Sequence, residues 1–195
     1  MGALTSDERF TYADYYSWDD GERWELIDGV PYSMSPAPTP PHQSISGNLH
    51  TQLNVFLKGK PCKVFIAPFD VRLFGLGDKE RTVLQPDITV VCDRSKLDKK
   101  GLNGTPDMVV EVLSPSSSRH DTLTKFNLYK RAGVREYWLI NPGNNTLTVY
   151  LLEGDKYNIN VYGEEDKVAV NVLTGCVVDL ADVFGDVYEF LNYEE

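Results

Sequence analysis

The chain has 195 residues, 42% of them hydrophobic and 25% charged, which suits one globular domain with a sizeable core rather than two small ones. Its formal net charge of −10 excludes a protein that coats nucleic acid or anionic membrane by charge alone, so an anionic substrate must be held locally. Three scattered cysteines, Cys62, Cys92 and Cys176, form no Cys-x-x-Cys pair, no stretch approaches the roughly 18 to 20 apolar residues that span a bilayer, and residues 1–10 are polar where a secretory leader is apolar. Free thiols in a reducing cytoplasm, with no disulfide framework, no zinc site and no membrane partner, are therefore expected.

The first predicted element is a short helix over 11–18 with Thr11 at its cap, followed by a turn at Asp19-Asp20-Gly21. Residues 23–27 and 30–34 read as a hairpin around Asp28-Gly29, a two-residue turn signal. A proline cluster over 36–41 ends it. In residues 42–57 the apolar positions Ile45, Leu49, Leu53, Phe56 and Leu57 fall three or four apart or adjacent on one face, which predicts an amphipathic helix. Strand-like segments follow at 63–67 and 70–74, then a loop over 75–81 and a strand, Ile88-Thr89-Val90-Val91, opened by Pro86-Asp87.

Residues 94–100 form a basic, solvated segment with Arg94, Lys96, Lys99 and Lys100, and 101–106 a turn. The most apolar run of the chain, Met108-Val109-Val110-Glu111-Val112-Leu113, reads as a strand buried on both faces. Serines at 114 and 116–118 supply helix caps, and a helix over 120–132 stops at Gly133. A buried strand over 135–140 precedes an antiparallel meander at 146–152, 157–162 and 168–172, and a short helix at 180–183 ends the pattern.

Glu111 stands in the middle of that apolar run, and an ionised carboxylate there costs several kcal/mol unless a cation compensates it. Lys125 is the candidate partner. It shares one stripe of a 3.6-residue period with Asp121, Leu128, Tyr129 and Ala132, which points it back toward the carboxyl end of the Glu111 strand, where a strand-to-helix crossover places a cleft. Asp87, on a separate strand, can lie beside Glu111 across the sheet. Asp107 also follows a proline, but four residues of strand put it about 13 Å from Glu111, so capping of the strand start is its expected role. Two carboxylates and a lysine suit a hard divalent ion, Mg²⁺ or Mn²⁺, and metal-assisted phosphodiester hydrolysis. A buried structural ion-pair cluster is the bland alternative. Trp138, Tyr137 and Tyr129 are expected in the core rather than as base-stacking surfaces.

Taken together, Glu25-Leu26-Ile27-Asp28-Gly29, His42, Pro86-Asp87, Pro106-Asp107 through Glu111-Val112-Leu113-Ser114-Pro115-Ser116, Asp121, Lys125, Tyr129 and Gly133-Val134-Arg135-Glu136-Tyr137-Trp138 resemble the Uma-two family of restriction-endonuclease-like proteins. That family belongs to the PD-(D/E)xK nuclease superfamily, and the resemblance covers residues 23–142. It implies an α/β (α+β) fold, a mixed β-sheet flanked by helices, within one domain over 1–195 whose nuclease core is followed by an antiparallel β extension at 143–195. It also implies that Asp87, Glu111 and the Val112 carbonyl hold the metal and that Lys125 is the catalytic lysine. Position 113 is Leu113 where the plain motif has lysine two residues after the acid, so the resemblance places the lysine on the following helix. Glu25 would be an accessory acid and His42 a phosphate contact or proton carrier. Against these stand a Glu25–Arg23 pair within the hairpin and a His42 that merely starts a helix.

The activity implied is a Mg²⁺-dependent endonuclease acting on DNA, with Arg94, Lys96, Lys99, Lys100 and Arg119 as backbone contacts and a homodimer as the arrangement that cuts both strands. A different class of reading is a catalytically silent nucleic-acid-binding or interaction module that keeps the fold.

Overall fold

In the computed structural model, which describes residues 9–34, 37–114 and 119–185, the two apolar runs become antiparallel neighbours in the middle of a six-stranded sheet. In chain order the elements are α1 (Tyr12–Tyr16), β1 (Trp24–Ile27), β2 (Val30–Ser33), α2 (Pro40–Leu57), β3 (Lys63–Ile66), β4 (Val71–Arg72), β5 (Val83–Leu84), β6 (Ile88–Val91), β7 (Leu97–Asp98), β8 (Gly101–Asn103) and β9 (Met108–Val112). They continue with α3 (Arg119–Ala132), β10 (Glu136–Asn141), β11 (Thr146–Glu153), β12 (Lys156–Tyr162), β13 (Lys167–Ala169), β14 (Val177–Asp179) and α4 (Leu180–Phe184).

The main sheet runs β12-β11-β10-β9-β6-β3, antiparallel except for β9 and β10, which are parallel and joined through α3. Alternation along β9 explains why no face of it is polar. Met108, Val110 and Val112 pack with Ile45, Leu49 and Leu53 of α2, while Val109 packs with Leu128 and Tyr129 of α3 and with Val71, Leu84 and Leu102. Those last three belong to a second six-stranded sheet, β2-β1-β5-β4-β8-β7, which covers the face that α2 leaves open.

Local chemistry sets the ends of these elements. At the β1–β2 turn Asp28 and Gly29 both take positive φ, 48° and 83°, the geometry of a two-residue turn that matches strand twist. Helix α2 opens with Thr39 as cap and prolines in its first turn, where a missing N–H costs nothing. Loop 75–81 is gathered around Glu80, a buried carboxylate that accepts backbone N–H groups of Phe74, Leu76, Arg81 and Thr82.

The expected α+β fold, a mixed sheet flanked by helices, is present, and beside it lies a second mixed sheet whose strands β4, β5 and β7 are only two residues long and carry no readable period. Three expectations are corrected. Residues 101–106 do not begin as a turn: Gly101, at φ 125°, lets the backbone pass so close to Asp70 that a Cβ would lie 2.4 Å from its carbonyl oxygen, and the segment pairs as β8. The third strand of the meander, β13, leaves the sheet and pairs with β14. Finally, Cys62 and Cys92 form a disulfide; the β3–β6 register, with Lys63 opposite Val91, brings the two cysteines face to face at its next step, while Cys176 stays free and buried. Among the described residues no helix is long and apolar enough to cross a membrane.

Packing of α2 on the sheet is testable by contrast within one helix. Leu49 is fully buried and Val55 is 70% exposed, so Leu49→Ala should lower unfolding free energy by about 2–5 kcal/mol in urea titrations and Val55→Ala by less than about 0.5 kcal/mol. Equal effects would contradict the packing.

Candidate active site

Asp87 directly precedes β6, and the pairing of Ile88 with Val110, carried one step further, sets Asp87 opposite Glu111 on the neighbouring strand. The Val112 N–H donates to Asp87 Oδ2 at 2.8 Å, which pins the acid at the sheet's end. From the first turn of α2, His42 Nε2 reaches the same oxygen at 3.2 Å. Burial alone would lower the His42 pKa; hydrogen bonding and charge attraction to Asp87, helped by Glu111 and the Val112 backbone, leave it above the usual histidine value. Its Nδ1 is buried without a hydrogen-bond partner among the described residues.

Glu111 points to the face shared with α3. There Lys125 Nζ donates to Glu111 Oε1 at 3.0 Å and Oε2 at 3.2 Å, and to Glu25 Oε1 on β1, also at 3.0 Å. One helical turn further, the Tyr129 hydroxyl donates to Glu111 Oε1 at 2.5 Å. Burial drives the Glu111 pKa up, Lys125 pulls it down, Asp87 and Glu25 push it up again, and the result is an acid raised above the ordinary glutamate value. Burial by itself would lower the Lys125 pKa, but the two glutamates overcome it and hold the ammonium charged.

Glu25 is positioned from the other side. Its Oε1 accepts the Gln85 backbone N–H at 2.9 Å, and the Gln85 side chain binds Asp70 Oδ1 at 2.8 Å and Tyr15 at 3.0 Å. Tyr12 and Tyr15 both donate to Asp70, so α1 braces the strand end that carries Gln85. Arg23 donates to Gln85 Oε1 at 2.8 Å; the Glu25–Arg23 pair is not formed.

Glu25, His42, Asp87, Glu111, Val112 and Lys125 thus line one cavity of about 510 Å³, together with Arg23, Tyr32, Met34, Pro38, Tyr137 and Leu139. Asp107 is elsewhere, accepting from Cys92 N at 2.6 Å and pairing with Arg135. Arg94, Lys96, Lys99 and Lys100 lie in or beside the β7–β8 hairpin, at the far edge of the second sheet from β1 and β2, and none lines the cavity. Lys96 caps the Thr105 carbonyl at 3.0 Å and Lys100 pairs with Asp78 at 2.9 Å. Arg119 begins α3, but its side chain and those of residues 116–118 lie outside the described residues. Trp138 is core, its indole N–H satisfied by Glu136 at 2.8 Å.

Tyr129, expected only as core, is also a polar partner of Glu111; its place four residues beyond Lys125 on the same stripe was the available signal. Nothing in the sequence ties Gln85, Asp70, Tyr12 and Tyr15 to the site, because their contacts with it depend on how the strands pair.

No ready-made cage of three His, Cys, Asp or Glu side chains exists among the described residues. The donor set nonetheless fits a hard ion: Asp87 and Glu111 are adjacent across two strands, both contacts made by Asp87 fall on Oδ2, and Mg²⁺ ordinarily takes one or two carboxylates plus waters and substrate oxygens. Among the described residues the three carboxylates pair with Lys125 and His42, and Arg23 also lines the cavity.

Residues 12–181 match a family model, Uma2, whose description is "Putative restriction endonuclease". An uncharacterized protein of Synechocystis sp. is 29% identical over 140 residues, 70% of this chain and 71% of its own length. A crystal structure titled as that of "a putative nuclease belonging to DUF820" from Anabaena variabilis superposes with a TM-score of 0.72 at 21% identity, covering 91% of this chain and 99% of the other. At that identity the likeness is one of fold.

Removing the shared ammonium should expose the electrostatics. Lys125→Met is expected to cost about 3–5 kcal/mol of stability at pH 8, because Glu111 and Glu25 are left buried and uncompensated. Glu111 in that variant has a folded pKa raised further above the ordinary glutamate value, so the folded state takes up a proton before the unfolded one does, and the deficit should shrink as pH falls toward about 5. Urea unfolding at both pH values, with Lys125→Met/Glu111→Gln recovering stability at pH 8, checks this; a deficit independent of pH would contradict it.

Proposed function

Because the chain belongs to the Uma2 family, we propose that it is a metal-dependent endonuclease hydrolysing phosphodiester bonds, with DNA as substrate. The observation that carries this reading is the convergence of Asp87, Glu111 and Lys125, drawn from β6's start, β9 and α3, in one cavity. Asp87 and Glu111, with the Val112 carbonyl, would hold Mg²⁺ or Mn²⁺, which when bound lowers the pKa of coordinated water and offsets charge on the phosphodiester.

The chain's own groups have separable tasks. Lys125 supplies a charge that can follow the phosphate oxygens as negative charge grows on them, and Glu25 fixes where that charge sits. Tyr129 holds Glu111 by one oxygen, orienting the carboxylate. His42, bonded to Asp87, lines the same cavity and, when protonated, could contact a phosphate or lend a proton. The alternative, a silent binding module, draws its support from the Lys125–Glu111 pair, since that contact already neutralises the acid without any ion.

Purified protein with Mg²⁺ or Mn²⁺ should cleave DNA, and Asp87→Asn or Glu111→Gln should lower the rate by about 10²-fold or more. Calorimetry should find Mn²⁺ binding in the native protein that Glu111→Gln loses. Lys125→Met, assayed at a pH where it remains folded, should keep the metal and lose the rate. Metal binding without cleavage of any nucleic acid would favour the silent module.

A further inference from the structure

The walls of the cavity differ in kind. Its floor is charged, with Glu25, Asp87, Glu111 and Lys125 at low exposure: their side chains are 7%, 17%, 13% and 18% accessible. Along the β1–β2 hairpin and residues 37–39 its wall carries the apolar and aromatic Ile27, Tyr32, Met34 and Pro38 beside Arg23, Ser33 and Thr39. Tyr32 faces Glu25 in the hairpin register, is 40% exposed, and stacks on no other ring of the described residues. Tyr137 also lines the cavity, with a buried hydroxyl that finds no hydrogen-bond partner among the described residues.

We infer that the substrate is an unpaired nucleotide strand, entering with a base against the Tyr32 ring and the scissile phosphate at the Lys125 end of the cavity. This rests on the nuclease reading and narrows it from DNA in general to single strands. Three observations support it. A charged floor behind an apolar and aromatic wall matches the two halves of a nucleotide, and base stacking on an exposed ring tolerates any sequence. A base can lie on a ring beside this cavity only when it is out of its stack, which an unpaired strand offers without the cost of opening a duplex.

The third is charge. A duplex-binding face neutralises many phosphates, yet the described cations of the cavity are Arg23, Lys125 and, when protonated, His42, and Lys125 is already shared by two glutamates. The protein carries −10 overall. Such a site suits contact with one or two phosphates of a flexible strand, and the hydroxyl of Tyr137 can bond to a polar group that comes with it.

Fluorescence anisotropy with a labelled oligo-dT strand, an oligo-U strand and a DNA hairpin duplex of equal length, in Ca²⁺ to hold turnover low, tests the inference. Both single strands should bind at least about 10-fold tighter than the duplex. Tyr32→Ala should weaken single-strand binding by about 5- to 100-fold, the range of one lost stacking contact, while Tyr32→Phe preserves it and the duplex is unaffected. The salt dependence should correspond to about one or two released counterions. Equal affinity for strand and duplex, or a Tyr32→Ala loss equal on both, overturns the inference. Absence of cleavage with Mg²⁺ and Mn²⁺ on every probe would instead defeat the nuclease reading and leave the strand preference standing or falling on the binding data.

Discussion

Lys125 stands between Glu25 and Glu111, 3.0 Å from each, and it is the cation that compensates both buried glutamates. At that distance one ion pair is worth about 5 kcal/mol at an effective dielectric near 20, against a desolvation penalty of several kcal/mol for each buried ion. The balance is therefore close, and it is the second glutamate and the Tyr129 hydroxyl that tip it. A cluster so nearly balanced is a poor way to stabilise a fold. It is a reasonable way to keep carboxylates fixed and available to a ligand.

The architecture brings those groups together from distant parts of the chain. Glu25 and Lys125 are 100 residues apart, and their meeting requires the second sheet to lie against the same face of the main sheet as α3. Asp87 and Glu111 need only the β6–β9 register. Around them the support is layered: His42 on Asp87, Tyr129 on Glu111, Gln85 on Glu25, and α1 on Gln85 through Asp70. Bracing of this kind holds side chains in place while leaving their oxygens on an open cavity.

Much of this arrangement is legible in the amino-acid sequence alone. Runs apolar on both alternating faces mark β6 and β9, the acids embedded in or before them stand out by their cost, and the helical stripe of α3 singles out Lys125. What stays hidden has physical reasons. Strands of two residues have no period, so beyond the β1–β2 hairpin the order of the second sheet is not legible, and neither is the bond from Glu25 to Lys125 that depends on it. The Cys62–Cys92 disulfide depends on the β3–β6 register, which no local pattern encodes. A tyrosine in an apolar stripe reads as core whether or not its hydroxyl is in use, as Tyr129 illustrates. The basic segment 94–100 is visible as composition, but only the sheet order shows that it lies at the opposite edge from the cavity-lining hairpin.

The central claim is that Glu111 and Asp87 are placed to hold an ion, with Lys125 occupying the place until it arrives. Anomalous diffraction from crystals soaked in Mn²⁺ tests it most directly. The account predicts one site about 2.1 Å from a carboxylate oxygen of each acid, with Lys125 drawn away from Glu111 while keeping Glu25. Manganese bound elsewhere, or a Lys125–Glu111 contact unchanged at saturating metal, would contradict it and leave the cluster a structural ion pair.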